Sequence, residues 1–145
     1  MRLWGHPIHP MLVHFPVAFW TVAAVAYIAA AAGVEDAATL AKFSNGAGLA
    51  IAMLAMIAGF LELPSIAGDA KGVAILHMTA MAAAWLCFML ALVTASSAGA
   101  NLDKPTAQLV GLVSACVGFL LMSAGGWLGG RLVYEFGIGV AARKE

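Results

Sequence analysis

Histidine and proline crowd the opening G-H-P-I-H-P-M-L-V-H-F-P, which sets His6, His9 and His14 against a long apolar run. The fourth histidine of the chain, His77, stands inside a later apolar run. An imidazole is costly in lipid unless it has a partner or a task. A neutral imidazole nitrogen is also the commonest protein ligand for haem iron and for zinc or copper. The chemistry these residue types suggest is therefore ligation of a metal or of a metal-bearing cofactor.

The elements that must position them follow from composition. The chain is 63% hydrophobic and only 10% charged, with mean hydropathy +0.98, well above the roughly 45–50% apolar usage of soluble domains. An integral membrane protein is the class this implies. Four apolar segments can be cut, at about 11–32, 43–63, 72–95 and 106–128, each long enough as a helix for a hydrocarbon core of about 30 Å. Stop signals separate them: Gly33 with Glu35 and Asp36, Pro64 with Gly68 and Asp69, then Ser96, Ser97, Gly99, Asn101, Asp103 and Pro105. Short loops make neighbours antiparallel, so the expected fold is all-α, a single domain over 1–145 forming an up-down-up-down four-helix bundle. The first run is too long for a cleaved signal core, and the runs do not alternate as barrel strands would. With zero net charge and no basic cluster, a nucleic-acid partner has no support; the lipid bilayer is the partner composition implies.

Four spans bring both ends to one face, with the 64–71 loop. That face carries Arg2, Lys71, Arg131, Arg143 and Lys144, the other only Lys42 and Lys104. The positive-inside rule then places both termini on the cytoplasmic side.

On the terminal face the unusual residues converge. His14 and His77 lie within a turn of each other in depth, Glu62 closes the second helix there, and the fourth leaves through G-G-W-L-G-G-R-L-V-Y-E-F-G. Helical phase groups His77, Ala80, Ala84, Cys87, Ala91 and Thr94 on one face of the third span. Asn45, Gly48, Ala52, Ala55, Gly59 and Glu62 share a face of the second, Gly111, Ser114, Gly118 and Gly125 one of the fourth, and His14, Ala18 and Thr21 a weaker stripe of the first. Small stripes mark close helix packing, so His14, Glu62 and His77 are expected to point into the bundle. Pro10 suits a first helical turn, whereas Pro16 should loosen the next and free a carbonyl near residue 12.

Three readings fit these residues. In the first, a b-type haem lies between the first and third helices, ligated by His14 and His77, with Phe15, Trp127 and Tyr134 at its edge and Arg131 on a propionate; the protein then transfers electrons with a redox protein or a quinone. In the second, His14, His77, Glu62, His6 and His9 supply nitrogen and oxygen ligands to a zinc, copper or iron ion that is bound or transported. In the third, the chain is a structural or assembly subunit whose imidazoles are satisfied by backbone or side-chain partners. No nucleophile–base pair or phosphate loop supports an enzyme, and Ser65 and Asp69 read as turn residues. Cys87 and Cys116, near mid-membrane, read as free thiols. Gly125 with Gly129 and Gly126 with Gly130 form overlapping G-x-x-x-G pairs suited to a neighbouring helix or a second copy of the chain; the glycine-rich close would also serve as a lid over the histidines.

Both ends carry a wider pattern: Gly5, His6, Pro7, His9, Pro10, His14, Phe15 and Pro16 at the start, and Gly125, Gly126, Leu128, Gly129, Val133, Tyr134, Gly137 and Gly139 at the finish. In these residues the chain resembles a family of small bacterial membrane proteins, a domain of unknown function with four predicted spans. The resemblance covers essentially the whole sequence. It implies the four-span fold, and relatives joined to Rieske-type or cytochrome-like modules imply an electron-transfer role. This chain has no such module and no C-x-x-C-H.

Overall fold

The computed structural model describes residues 2–3, 6–96 and 102–140, with side chains from Ile8 onward. Four long helices make the fold: α1 Ile8–Ala31, α2 Ala37–Glu62, α3 Asp69–Ala95 and α4 Lys104–Tyr134. All four are long and apolar enough to cross a membrane, as their composition requires. A two-residue antiparallel ladder, β1 Arg2–Leu3 with β2 His6–Pro7, precedes α1. Each helix begins two to six residues earlier than the apolar run it contains. Hydropathy marks the lipid-crossing part, whereas backbone hydrogen bonding carries a helix on through its polar ends.

Local chemistry sets the boundaries. Gly33, at φ +82°, closes α1 in the left-handed conformation that suits glycine, with Val34 N–H donating to Ala29 O at 3.0 Å and Gly33 N–H to Ala30 O at 3.1 Å. Asp103 caps α4 by accepting from Thr106 N–H at 3.2 Å, and Pro105 fills the first turn. Ser97, Gly99 and Asn101 of the expected break lie outside the described residues. Helix α1 runs unbroken through Pro16, which is buried.

Helices α1 and α2 form one close hairpin and α3 and α4 another, and α1 faces α3 across the bundle axis. Packing there sets large side chains against absent ones. Trp20 on α1 is fully buried against Gly48 of α2, where an added Cβ would meet the indole at 2.6 Å. Phe88 on α3 lies against Gly118 of α4 in the same way, at 3.0 Å. The two rings stack on each other, centroids 4.7 Å apart and 9° from parallel.

These pairs expose an internal two-fold relation. Trp20 follows His9 by eleven residues, as Phe88 follows His77; Gly48 precedes Gly59 by eleven, as Gly118 precedes Gly129. The buried positions Ser44 and Ser114, Pro16 and Ala84, and Ala23 and Ala91 pair under the same offsets. The second hairpin repeats the first about an axis along the bundle, one of the repeat arrangements known in membrane proteins.

Candidate site: a histidine pair at the terminal mouth

His9 stands in the first turn of α1 and His77 two turns into α3. Each uses Nδ1 in the same way. His9 Nδ1 lies 2.7 Å from Ala55 O of α2, and His77 Nδ1 lies 2.7 Å from Gly125 O of α4. A carbonyl only accepts, so both Nδ1 atoms carry a proton, which makes Nε2 the lone-pair nitrogen of the neutral ring. Four residues beyond each carbonyl comes a glycine that makes room for the ring: a Cβ on Gly59 would meet His9 Nδ1 at 3.0 Å, one on Gly129 His77 Cε1 at 3.2 Å. The two imidazoles meet across the axis, ring centroids 6.2 Å apart and planes 87° to one another.

The ion reading of the sequence grouped His77 and His14 with His9, His6 and Glu62, and the haem reading paired His77 with His14. The structure brings His9 to that place instead, and His14 faces outward, exposed on the side of α1 away from the bundle. Five residues separate the two histidines, which turns the side chain by about 140° on a helix. The inward stripe of α1 is His9, Pro16, Trp20, Ala23 and Tyr27, not His14, Ala18 and Thr21. Bulk on α1 fills the hollows that glycine leaves on α2, so a search for small residues alone selects the wrong face.

The other expected site residues are dispersed. Trp127 is 65% and Tyr134 90% exposed, on the outer face of α4. Arg131 lies over the Trp127 ring at 5.3 Å and pairs with Glu135 through Nη2–Oε2 at 2.8 Å. These three form a rim on the bundle exterior, and Phe15 is exposed as well. Glu62 is half-buried at the end of α2. The His6 side chain, Gly5, Arg143 and Lys144 lie outside what is described. Among the described residues no group of three His, Cys, Asp or Glu side chains converges on a point.

The remaining stripes stand where phase put them. Asn45, Gly48, Ala52 and Ala55 are buried on α2, Ala84, Ala91 and Thr94 on α3, and Gly111, Ser114, Gly118 and Gly125 on α4. The overlapping glycine pairs divide: Gly125 and Gly129 pack on Met81 and His77 of α3, while a Cβ added at Gly126 would meet no described atom of another helix within 4 Å. Cys87 and Cys116 are free and half-buried. Ser65 donates to Glu62 O at 2.6 Å, a turn contact. Beyond α4, Phe136 and Ile138 pack with Leu63, Ile66 and Val73 around Ala70, Ala74 and Leu132, closing the bundle at the histidine end.

At the opposite end Asn45 is fully buried, donating from Nδ2 to Phe88 O at 2.9 Å and to Tyr27 Oη at 3.2 Å, while its Oδ1 has no partner among the described residues. No curated protein and no solved structure matches the chain. Residues 5–142 match the family described as predicted membrane protein, DUF2231. With four membrane-length helices, a repeated hairpin and paired histidines on its axis, the chain belongs to the DUF2231 family of predicted membrane proteins.

Proposed function

We propose that this membrane protein binds a b-type haem between α1 and α3, with His9 and His77 as its two axial ligands, and serves in electron transfer. The observation that carries the reading is the symmetric pair of imidazoles, each fixed by an Nδ1–H bond to a backbone carbonyl and each with no Nε2 hydrogen bond to another described residue. Such outer hydrogen bonds orient a ligating histidine and raise its basicity. A ring nitrogen sits about 1.1 Å from its centroid and a metal–nitrogen bond is about 2.0–2.1 Å. Two imidazoles sharing one metal in trans therefore have centroids about 6.2–6.4 Å apart, against the observed 6.2 Å.

Donor number favours haem over a bare ion. A porphyrin supplies four nitrogens and asks two axial ligands of the protein, whereas a structural zinc site takes four protein donors. The helices flanking the pair are small where they approach it, with Ala55 and Gly59 on α2 and Gly125 and Gly129 on α4. Haem bound there supplies a one-electron couple. The chain's own contribution is to hold two neutral imidazoles in one tautomer within an apolar surround. We further place the protein in a bacterial inner membrane with both termini cytoplasmic, on the distribution of lysine and arginine.

The second reading is structural, and the two Nδ1–carbonyl bonds favour it equally, since each ties one helix to its neighbour. Absorbance separates the two. Detergent-purified protein from haem-supplemented cells should show a Soret band that sharpens and shifts on dithionite reduction, lost in His9→Ala and in His77→Ala and retained in His14→Ala. Well-folded wild-type protein without that band would refute the haem reading and leave the imidazoles as helix ties.

A further inference from the structure

At the end of the bundle opposite the histidines, all four helices line a cavity of about 250 Å³. Its floor is Tyr27, Thr94 and Gly111, its rim Lys42, Lys104 and Gln108, and alanines make the walls between. The floor is deep because position 111 is glycine: a Cβ there would lie 3.2 Å from Thr94 Oγ1 and 3.8 Å from Tyr27 Cε1.

The hydrogen-bond inventory of this cavity is uneven. Tyr27 Oη accepts from Asn45 Nδ2, which leaves the phenol proton for another acceptor. Thr94 spends its hydroxyl proton on Leu90 O at 2.9 Å and Ala91 O at 3.1 Å, so its oxygen offers only lone pairs. At the rim two ammonium groups and an amide add donors, and among the described residues no carboxylate lines the cavity. Polar groups thus stand at both ends of an apolar slot, with donors at each end and one acceptor at the floor.

We infer that this cavity is a binding site for the head of a para-quinone, whose ring fills the alanine-walled slot with one carbonyl toward Tyr27 and the other toward Lys42 and Lys104. A flat ring with opposed acceptors matches the opposed donors, and the reduced form can donate to Thr94 Oγ1. An acidic amphiphile would engage the lysine rim alone and leave the Tyr27 proton unmatched above an apolar void. The inference takes its relevance from the redox reading of the histidine pair, but binding is measured without it.

The test is calorimetric titration of detergent-solubilised protein with a decyl-tailed 1,4-benzoquinone, with dodecyl phosphate as the anionic comparison. One saturable site per chain is expected. Affinity should fall about three- to tenfold in Tyr27→Phe, which deletes one hydrogen bond, and further in Gly111→Leu, which fills the floor. Circular dichroism checks folding, and should Gly111→Leu not fold, Tyr27→Phe decides. Quinone uptake that is non-saturable or unchanged in Tyr27→Phe overturns the inference, as does tighter binding of dodecyl phosphate that displaces the quinone. Saturable binding by protein without a Soret band would sink the haem reading and leave the quinone site standing; a Soret band without quinone binding does the reverse.

Discussion

Replacing Gly48 by alanine tests the packing that holds the histidine pair in register. The new Cβ would sit 2.6 Å from Trp20 Cδ1 and 2.7 Å from Nε1, closer than real Cβ contacts allow. The indole has nowhere to go, since it is fully buried and stacked on Phe88 at 4.7 Å. Overpacking of this kind costs about 1–3 kcal/mol. Against it stands the gain of about 0.5–1 kcal/mol from alanine over glycine in a helix interior. A net loss of up to about 2.5 kcal/mol is expected at Gly48. Gly46, half a turn away, where an added Cβ would meet no described atom of another element within 4 Å, gives the internal reference: Gly46→Ala should be neutral or stabilised by up to about 1 kcal/mol. The two variants should therefore differ by about 1–3 kcal/mol, or roughly 5- to 150-fold in the folding equilibrium, read by denaturant titration in mixed micelles. Equal stability would refute the large-into-small packing of α1 on α2. Gly118→Ala should behave as Gly48→Ala does, more mildly, because its nearest approach to Phe88 is 3.0 Å.

Other expectations follow from the same contacts. Asn45→Ala removes the hydrogen bonds to Phe88 O and Tyr27 Oη and should cost about 0.6–2 kcal/mol in the same titration; no loss would mean that the amide does not tie the hairpins together. Hydrogen bonding to Thr106, side chain first and then backbone, holds the Asp103 carboxyl below its ordinary value of 3.8. A depressed carboxylate stabilises the fold above its unfolded pKa and loses that contribution as pH falls, so the stability gap between wild type and Asp103→Ala should be full at neutral pH and close as pH falls below about 4. A gap unchanged at pH 3 would show that the cap does not depend on ionisation. Gly59→Ala and Gly129→Ala should each displace one imidazole and weaken the pigment, while Gly126→Ala should leave it intact; equal absorbance in all three would detach the glycines from the site.

Much of the fold was legible in the sequence because lipid imposes one rule on every span. Apolar length gave four helices and their order, and the stripes of α2, α3 and α4 fell inward as their phase required. His77 was legible for the same reason. His9 was legible only as one of five donors to an ion and not as the helix-borne counterpart of His77, because the apolar run begins after it and the helix was read from residue 11, though α1 starts at Ile8. The signal that finds it is the repeat. An I-H pair eleven residues before Trp20 and an L-H pair eleven before Phe88 show the same spacing in the two hairpins. The exposed band of Trp127, Arg131 and Tyr134 suits the interfacial belt better than a cofactor edge, since at α4's spacing these three share the face opposite Gly125 and Gly129.

The two-fold relation is not uniform along the axis, and where it breaks is informative. At the terminal mouth it is close: a histidine, a carbonyl acceptor and a glycine on each hairpin, in matching register. At mid-bundle it loosens, with Trp20 opposite Phe88. Toward the far end it fails, since the positions related to Asn45 and Tyr27 are Ala115 and Ala95. A duplicated hairpin keeps equivalent residues where both copies serve one purpose, and two identical axial ligands are such a purpose. It lets them diverge where the two sides must differ, as they must around a phenol proton on α1, a threonine lone pair on α3 and a lysine each from α2 and α4. The symmetric end thus suits a ligand that is the same seen from either hairpin. The asymmetric end suits one held by a different group on each helix.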